Sequence, residues 1–190
     1  MNINIDGISL SFITSSDVFS PKGADAGTLA MLTAARPFLL PDALVMDMGC
    51  GYGFVGIYAA KVCGVCDVVM SDVSAEAVRL SIINCELNGL DSKPVVVESD
   101  CFKSIDRAGF DVILNNPPYH ADFSLPKEII EKGFNRLKIG GRLIMVTKRL
   151  DWYKKKISSV FGGVRVSEID GYYVFIAERR QMKRSDRGMK

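Results

Sequence analysis

Two short stretches hold residues whose types and spacing could do chemistry. The first is Ile113-Leu-Asn-Asn-Pro-Pro-Tyr-His120, where an apolar run ends in amides, two prolines, an aromatic ring and the only histidine of the chain. Pro117 and Pro118 lack an N–H and hold φ near about −65°. The Asn116 side-chain oxygen and the Pro117 carbonyl are thereby kept as fixed acceptors, with the Tyr119 ring available to stack on a planar group.

The second is Asp47-Met-Gly-Cys-Gly-Tyr-Gly53, a turn with glycine at alternate positions. Glycines there let the backbone turn tightly and let a ligand approach the main chain. Asp72 ends the next apolar run, 19 residues after Gly53, where a carboxylate can accept from both hydroxyls of a ribose. Asp100 ends the run after that and is placed to meet an adenine amino group. The spacing is GxGxG, unlike the GxGxxG of pyrophosphate binders. An adenosine ligand without pyrophosphate is expected, namely S-adenosyl-L-methionine, with Asp47, Gly49, Gly51, Gly53, Asp72 and Asp100 around it.

These residues need a scaffold that brings them to one edge. Apolar runs at 43–49, 67–72, 94–100, 110–116, 141–147, 164–169 and 172–178 read as strands. Between them lie helical periods: one from Phe54 to Cys63, one capped by Ser74 with Val78, Ile82 and Cys85 on one face, one carrying Ile130, Phe134 and Leu137, and one with Tyr153, Ile157 and Phe161 inward. Alternation of this kind predicts an α/β fold with a doubly wound, mostly parallel seven-stranded sheet, closed by an antiparallel hairpin turning at Asp170-Gly171. The expected division is a hairpin and helix over 1–40, the core over 41–180 and a basic tail over 181–190.

Composition sets the remaining bounds. The 190 residues are 48% hydrophobic with mean hydropathy +0.15, which suits one domain, and no apolar run approaches the roughly 20 residues that span a bilayer. A cytoplasmic protein without a membrane partner is expected. The five cysteines are odd in number and mostly within apolar patterns, which favours reduced thiols. Cys63-Gly-Val-Cys66 has no second half for a zinc site, so no metal is expected. Residues 1–126 hold 7 Lys+Arg against 15 Asp+Glu, whereas residues 127–190 hold 17 against 7. A basic final third suggests a polyanionic partner such as nucleic acid, unless Lys154, Lys155 and Lys156 are only the wet face of a helix.

Together, "DMGCGYG", Asp72, Asp100 and "NPPY" resemble the motif series of class I S-adenosylmethionine-dependent methyltransferases, whose fold is Rossmann-like. The upstream "VFSPKGADAGTLAML", with "GCGYGFVGI" and "NPPYH", is similar to the methyltransferase small group, which includes ribosomal RNA guanine-N2 methyltransferases and short archaeal relatives. The resemblance implies that Asn116, Pro117 and Tyr119 act on a planar conjugated nitrogen, with Asn116 also beside the cofactor. It further implies that Asp25, Gly27 and Thr28 lie at the cofactor, although Thr28 also fits a helix start. The implied partner is RNA, ribosomal RNA or a ribosomal subunit.

Elementary chemistry agrees with that target. The lone pair of such a nitrogen is delocalised, so two acceptors aimed at its hydrogens draw it toward tetrahedral geometry and stabilise the positive charge it gains. No strong base is demanded, and His120 either contacts substrate or caps the loop. The chain departs from the bacterial ribosomal RNA enzymes, which carry a second methyltransferase-like domain for which 190 residues leave no room. A glutamine amide of a release factor poses the same chemical problem and is the alternative substrate; a non-catalytic cofactor-binding partner is the other reading.

Overall fold

The computed structural model describes residues 1–15, 25–90, 94–118 and 122–181. Seven strands form one sheet in the order β5-β4-β3-β6-β7-β9-β8: β3 (Leu44–Met48), β4 (Asp67–Asp72), β5 (Val95–Glu98), β6 (Phe110–Asn115), β7 (Leu137–Thr147), β8 (Arg165–Ile169) and β9 (Tyr172–Glu178). β5, β4, β3, β6 and β7 run parallel, and β9 pairs antiparallel with both β7 and β8. A separate hairpin, β1 (Asn2–Ile5) and β2 (Ile8–Ser11), turns at Asp6 and Gly7, both at positive φ.

The strands read as continuous apolar runs because both faces are covered. Val45, Val68, Met70, Leu114 and Ile144 face a core built with α1 (Ala26–Ala35), α2 (Phe54–Lys61) and α3 (Ala75–Leu87). Their neighbours Met46, Val69, Ile113 and Met145 face the opposite core, built with α4 (Ser124–Arg136) and α5 (Asp151–Phe161). The period-2 alternation of a strand thus sends successive side chains into two apolar layers.

Two sequence expectations shift by a residue or an element. The buried face of α3 is Ala77, Leu80, Ser81, Asn84 and Cys85, while Ile82 is exposed. An apolar count misses this face because two of its five residues, Ser81 and Asn84, are polar. Asn84 accepts from Ile13 N at 2.7 Å and donates to Ile13 O at 2.9 Å and Tyr52 O at 2.8 Å. Asn88 likewise accepts from Ser11 N at 3.0 Å and donates to Ser11 O at 2.7 Å. These amides act as a strand partner for residues 11–13, and so bind the N-terminal segment across α3. Leu137, expected on a helix, instead opens β7, which is longer than the 141–147 run; a Cβ at Gly141 would lie 2.6 Å from Phe110 O, so the strand needs glycine where it crosses its neighbour.

Ser74 caps α3 by accepting from Ala77 N at 3.3 Å, as its position predicts. Tyr153, Ile157 and Phe161 are buried under α5. All five cysteines are free, with Cys50, Cys85 and Cys101 buried and Cys66 exposed, and no group of three metal-binding side chains occurs among the described residues. No helix among the described residues is long and apolar enough to cross a membrane. The tail beyond Gln181 lies outside the described residues, but Arg179 before it is structural, lying over the Phe134 ring at 5.2 Å and donating to Leu137 O.

Candidate active site

The C-terminal ends of the parallel strands surround a cavity of about 280 Å³. Its floor is the turn between β3 and α2, whose three glycines stand at φ +73° (Gly49), +57° (Gly51) and +94° (Gly53). A Cβ on Gly51 would meet nothing within 4 Å, so the space above it is open to a ligand, and positive φ is what demands glycine there. Gly53 has a second reason, since a Cβ would fall 2.9 Å from Met70 Cε and 3.0 Å from Ser81 Oγ.

Neighbouring elements hold this turn from every side. Gly49 N and Cys50 N both donate to Ser71 O, at 2.8 and 2.9 Å. Ser81 Oγ donates to Gly51 O at 2.9 Å, and Asn84 to Tyr52 O. Asp72 accepts from Gly51 N and Ser74 N, both at 2.9 Å, one on each oxygen. Each carboxylate oxygen retains a further lone pair, so the same group can still receive hydroxyl protons from the cavity.

Asp47 is only 3% exposed and accepts from Gly56 N at 2.9 Å, satisfying a first-turn N–H of α2. Burial pushes its carboxyl up to about 7; the Gly56 N–H pulls it down and the Asp72 charge adds to the rise. Burial also drives the Cys50 thiol well above its ordinary range, with the Asp47 charge adding to it, so this thiol in the turn is no nucleophile. Asp100 stands more openly at the rim, paired with Lys103 at 2.5 Å.

The opposite wall carries the amide. Asn116 donates through Nδ2 to Asp25 Oδ2 at 3.1 Å and to Thr28 Oγ1 at 2.9 Å. Asp25 also caps α1, accepting from Thr28 N at 3.1 Å and from Thr28 Oγ1 at 2.7 Å. Asn116 Oδ1 is buried and has no partner among the described residues. Pro118 lines the cavity, and Pro117 is buried behind it. Tyr119 and His120 lie outside the described residues.

Asp25, Thr28, Asp47, Gly49, Gly51, Asp72, Asp100 and Asn116 therefore share one cavity, whereas Gly53, the third glycine of the turn, does not line it. Gly27 does not line it: a Cβ there would lie 2.8 Å from two ring carbons of Tyr172, so its glycine is a packing requirement between α1 and β9. Several lining residues escaped the sequence reading, among them three that stand directly beside predicted ones. Val73 is 69% exposed beside Asp72, Cys101 sits at φ +51° just after Asp100, and Asn115 immediately precedes Asn116. Their signal was position alone, each directly beside a residue already singled out.

The rim near β7 is basic and aromatic. Arg149 lies over the Phe123 ring at 5.0 Å, and Phe123 stacks on Trp152 with centroids 4.3 Å apart. Lys148 lies over the Tyr172 ring at 4.8 Å. Of the three α5 lysines, Lys156 is tied to Glu131, and Lys154 and Lys155 are exposed.

Comparison with known proteins follows the same outline. The chain is 32% identical over 179 residues to the ribosomal RNA small subunit methyltransferase C of Sodalis glossinidius, covering 91% of this chain and 49% of that one. It is 33% identical over 175 residues to the uncharacterised protein YbxB of Bacillus subtilis, covering 88% and 85%. Among solved structures, the T. thermophilus 16S rRNA N2 G1207 methyltransferase RsmC, in complex with AdoMet and guanosine, superposes with TM-score 0.86 at 25% identity, over 95% of this chain and 50% of that one. The chain thus spans about half the length of the ribosomal RNA methyltransferases it matches. The profile of the methyltransferase small domain matches residues 9–176, and the chain belongs to that family.

Proposed function

We propose that the chain is an S-adenosylmethionine-dependent N-methyltransferase acting on the exocyclic N2 amine of a guanine in ribosomal RNA. The observation that carries this reading is the Oδ1 of Asn116, buried and without a partner among the described residues, on a residue in the wall of a cavity floored by a glycine turn. An orphaned acceptor in such a place costs stability until a donor arrives. The named activities of the ribosomal RNA relatives support the choice of base and polymer.

The residues present fit the cofactor. Open space over Gly51 admits a ligand against the main chain, Asp72 has free lone pairs for ribose hydroxyls, Asp100 is placed for the adenine amine, and Val73 offers an apolar surface for the ring. Asp47 and Asn115 Oδ1, the latter without a partner among the described residues, offer acceptors for an ammonium. When bound, S-adenosylmethionine supplies a methyl group on positively charged sulfur.

The chain's own residues then work on the amine. Asn116 Oδ1 and the Pro117 carbonyl accept its two N–H groups, localise its lone pair and stabilise the positive charge it acquires. Orientation contributes most of the remaining acceleration, on the order of several kcal/mol. The methylated nitrogen is acidic and returns a proton to solvent, so no buried base is needed. The basic, aromatic rim of Lys148, Arg149, Phe123 and Trp152 suits phosphates and unpaired bases on either side of the target.

The test is transfer of tritiated methyl to unmodified small-subunit ribosomal RNA, assembled subunits and a release factor in parallel. Label recovered as N2-methylguanosine is the expected result. Label found only in the release factor would replace this reading by glutamine methylation.

A further inference from the structure

We infer that Asp25 and Thr28 are positioning residues that lock the orientation of the Asn116 amide, and so decide which of its two ends faces the substrate. This rests on the role proposed for Asn116. An asparagine amide presents an acceptor at one end and donors at the other, and a half-turn exchanges them. Only one of the two orientations can polarise an amine, because an NH2 group facing the target N–H would repel it.

The hydrogen bonds leave no choice. Asp25 Oδ2 is a carboxylate oxygen and can only accept, so the group facing it at 3.1 Å must be the amide nitrogen. Thr28 Oγ1 spends its single hydrogen on the same Asp25 oxygen at 2.7 Å, and is thereby left to accept from Asn116 Nδ2 at 2.9 Å. Both acceptors lie on the nitrogen side of the amide, 2.7 Å from each other, and the oxygen is turned away, buried and without a partner among the described residues. Asp25 in turn cannot drift, because its other oxygen accepts from Thr28 N as the cap of α1.

Asp25→Asn separates this role from the helix cap. Asparagine caps helices as well as aspartate does, through Oδ1. Its second terminal atom is a donor, which would oppose Asn116 Nδ2 and favour the turned amide, with the oxygen withdrawn from the cavity. The expected result is a fall in kcat of about 10²-fold, with unchanged unfolding temperature, cofactor Kd and RNA KM. Thr28→Val should lower kcat less, since Asp25 still selects the orientation, and Thr28→Ser should restore it.

A second readout needs no turnover. In the wild-type protein the Asn116 side-chain NH2 resonances, assigned by their loss in Asn116→Ala, should exchange slowly with water; in Asp25→Asn they should exchange freely. Equal exchange in the two proteins would overturn the inference, as would a wild-type kcat in Asp25→Asn. A loosened cofactor Kd with kcat intact at saturation would also overturn it, giving the pair to the cofactor instead. Asn116→Ala that still methylates the ribosomal RNA would refute the proposed function itself, whereas an inert Asn116→Ala beside a fully active Asp25→Asn refutes only the lock.

Discussion

The Asn115 side chain donates to Met48 O at 2.9 Å, tying the end of β6 to the end of β3, and its own oxygen is buried without a partner among the described residues. One hydrogen bond fixes the amide, and Asn115 lines the same cavity as Asn116. Asn115→Ala should leave the stability of the cofactor-free protein nearly unchanged, since a lost bond and a relieved orphan oppose each other. It should weaken S-adenosylmethionine by roughly tenfold, about 1.4 kcal/mol, in titration calorimetry. An unchanged Kd would mean that this oxygen serves no ligand.

Asp47 yields a prediction in pH. The folded protein holds its proton up to about 7, whereas an unfolded aspartate releases it near about 3.9. Between these values the folded state binds more protons than the unfolded chain, so Asp47 costs stability increasingly as pH rises through that window and at a constant level above it. Asp47→Asn, which keeps an acceptor for Gly56 N, should match wild type near pH 4 and exceed it above pH 7 by on the order of a few kcal/mol. Denaturant titrations of both proteins across this range check it; a pH-independent difference would remove the assignment.

Asn84 is the second buried amide whose loss should be felt at the turn. Asn84→Ala strands the main-chain groups of Ile13 and the carbonyl of Tyr52, for a cost of about 2–4 kcal/mol in urea unfolding. Cofactor affinity should fall with it, because Tyr52 belongs to the glycine turn. A loss below about 1 kcal/mol would show that water replaces the amide.

The rim is tested through salt. Arg149→Ala should raise the KM for ribosomal RNA several-fold at constant kcat, and lower the slope of log affinity against log salt by roughly 0.7 to 0.9. Phe123→Ala, which removes an exposed stacking ring and no charge, should raise KM with the slope unchanged. Identical shifts from both variants would mean that the pair acts only through its own packing.

The sheet was legible because parallel strands buried on both faces leave unmistakable apolar runs, and the strand-end residues Asp72, Asp100 and Asn116 declare the edge at which a ligand binds. The α3 face was not, because Ser81 and Asn84 are buried for their hydrogen bonds and look solvent-facing to any count of apolar residues. Gly27 and Thr28 were visible as a motif, but their partners, Tyr172 of β9 and Asn116 just after β6, are distant in the chain. Asn115 was hidden by its neighbour, since a doubled asparagine looks like one signal and the fold makes it two.

The Tyr172 ring pressed on Gly27 also bears on the order of synthesis. The glycine turn, both strand-end aspartates and the Asn-Pro-Pro segment all leave the ribosome before the residue that seats α1, and with it Asp25. A nascent chain halted after β7 has nearly every group of the cavity, yet lacks the ring against which the first helix is set. At Gly27 the first helix thus takes part of its support from a strand that follows, in the chain, every residue lining the cavity.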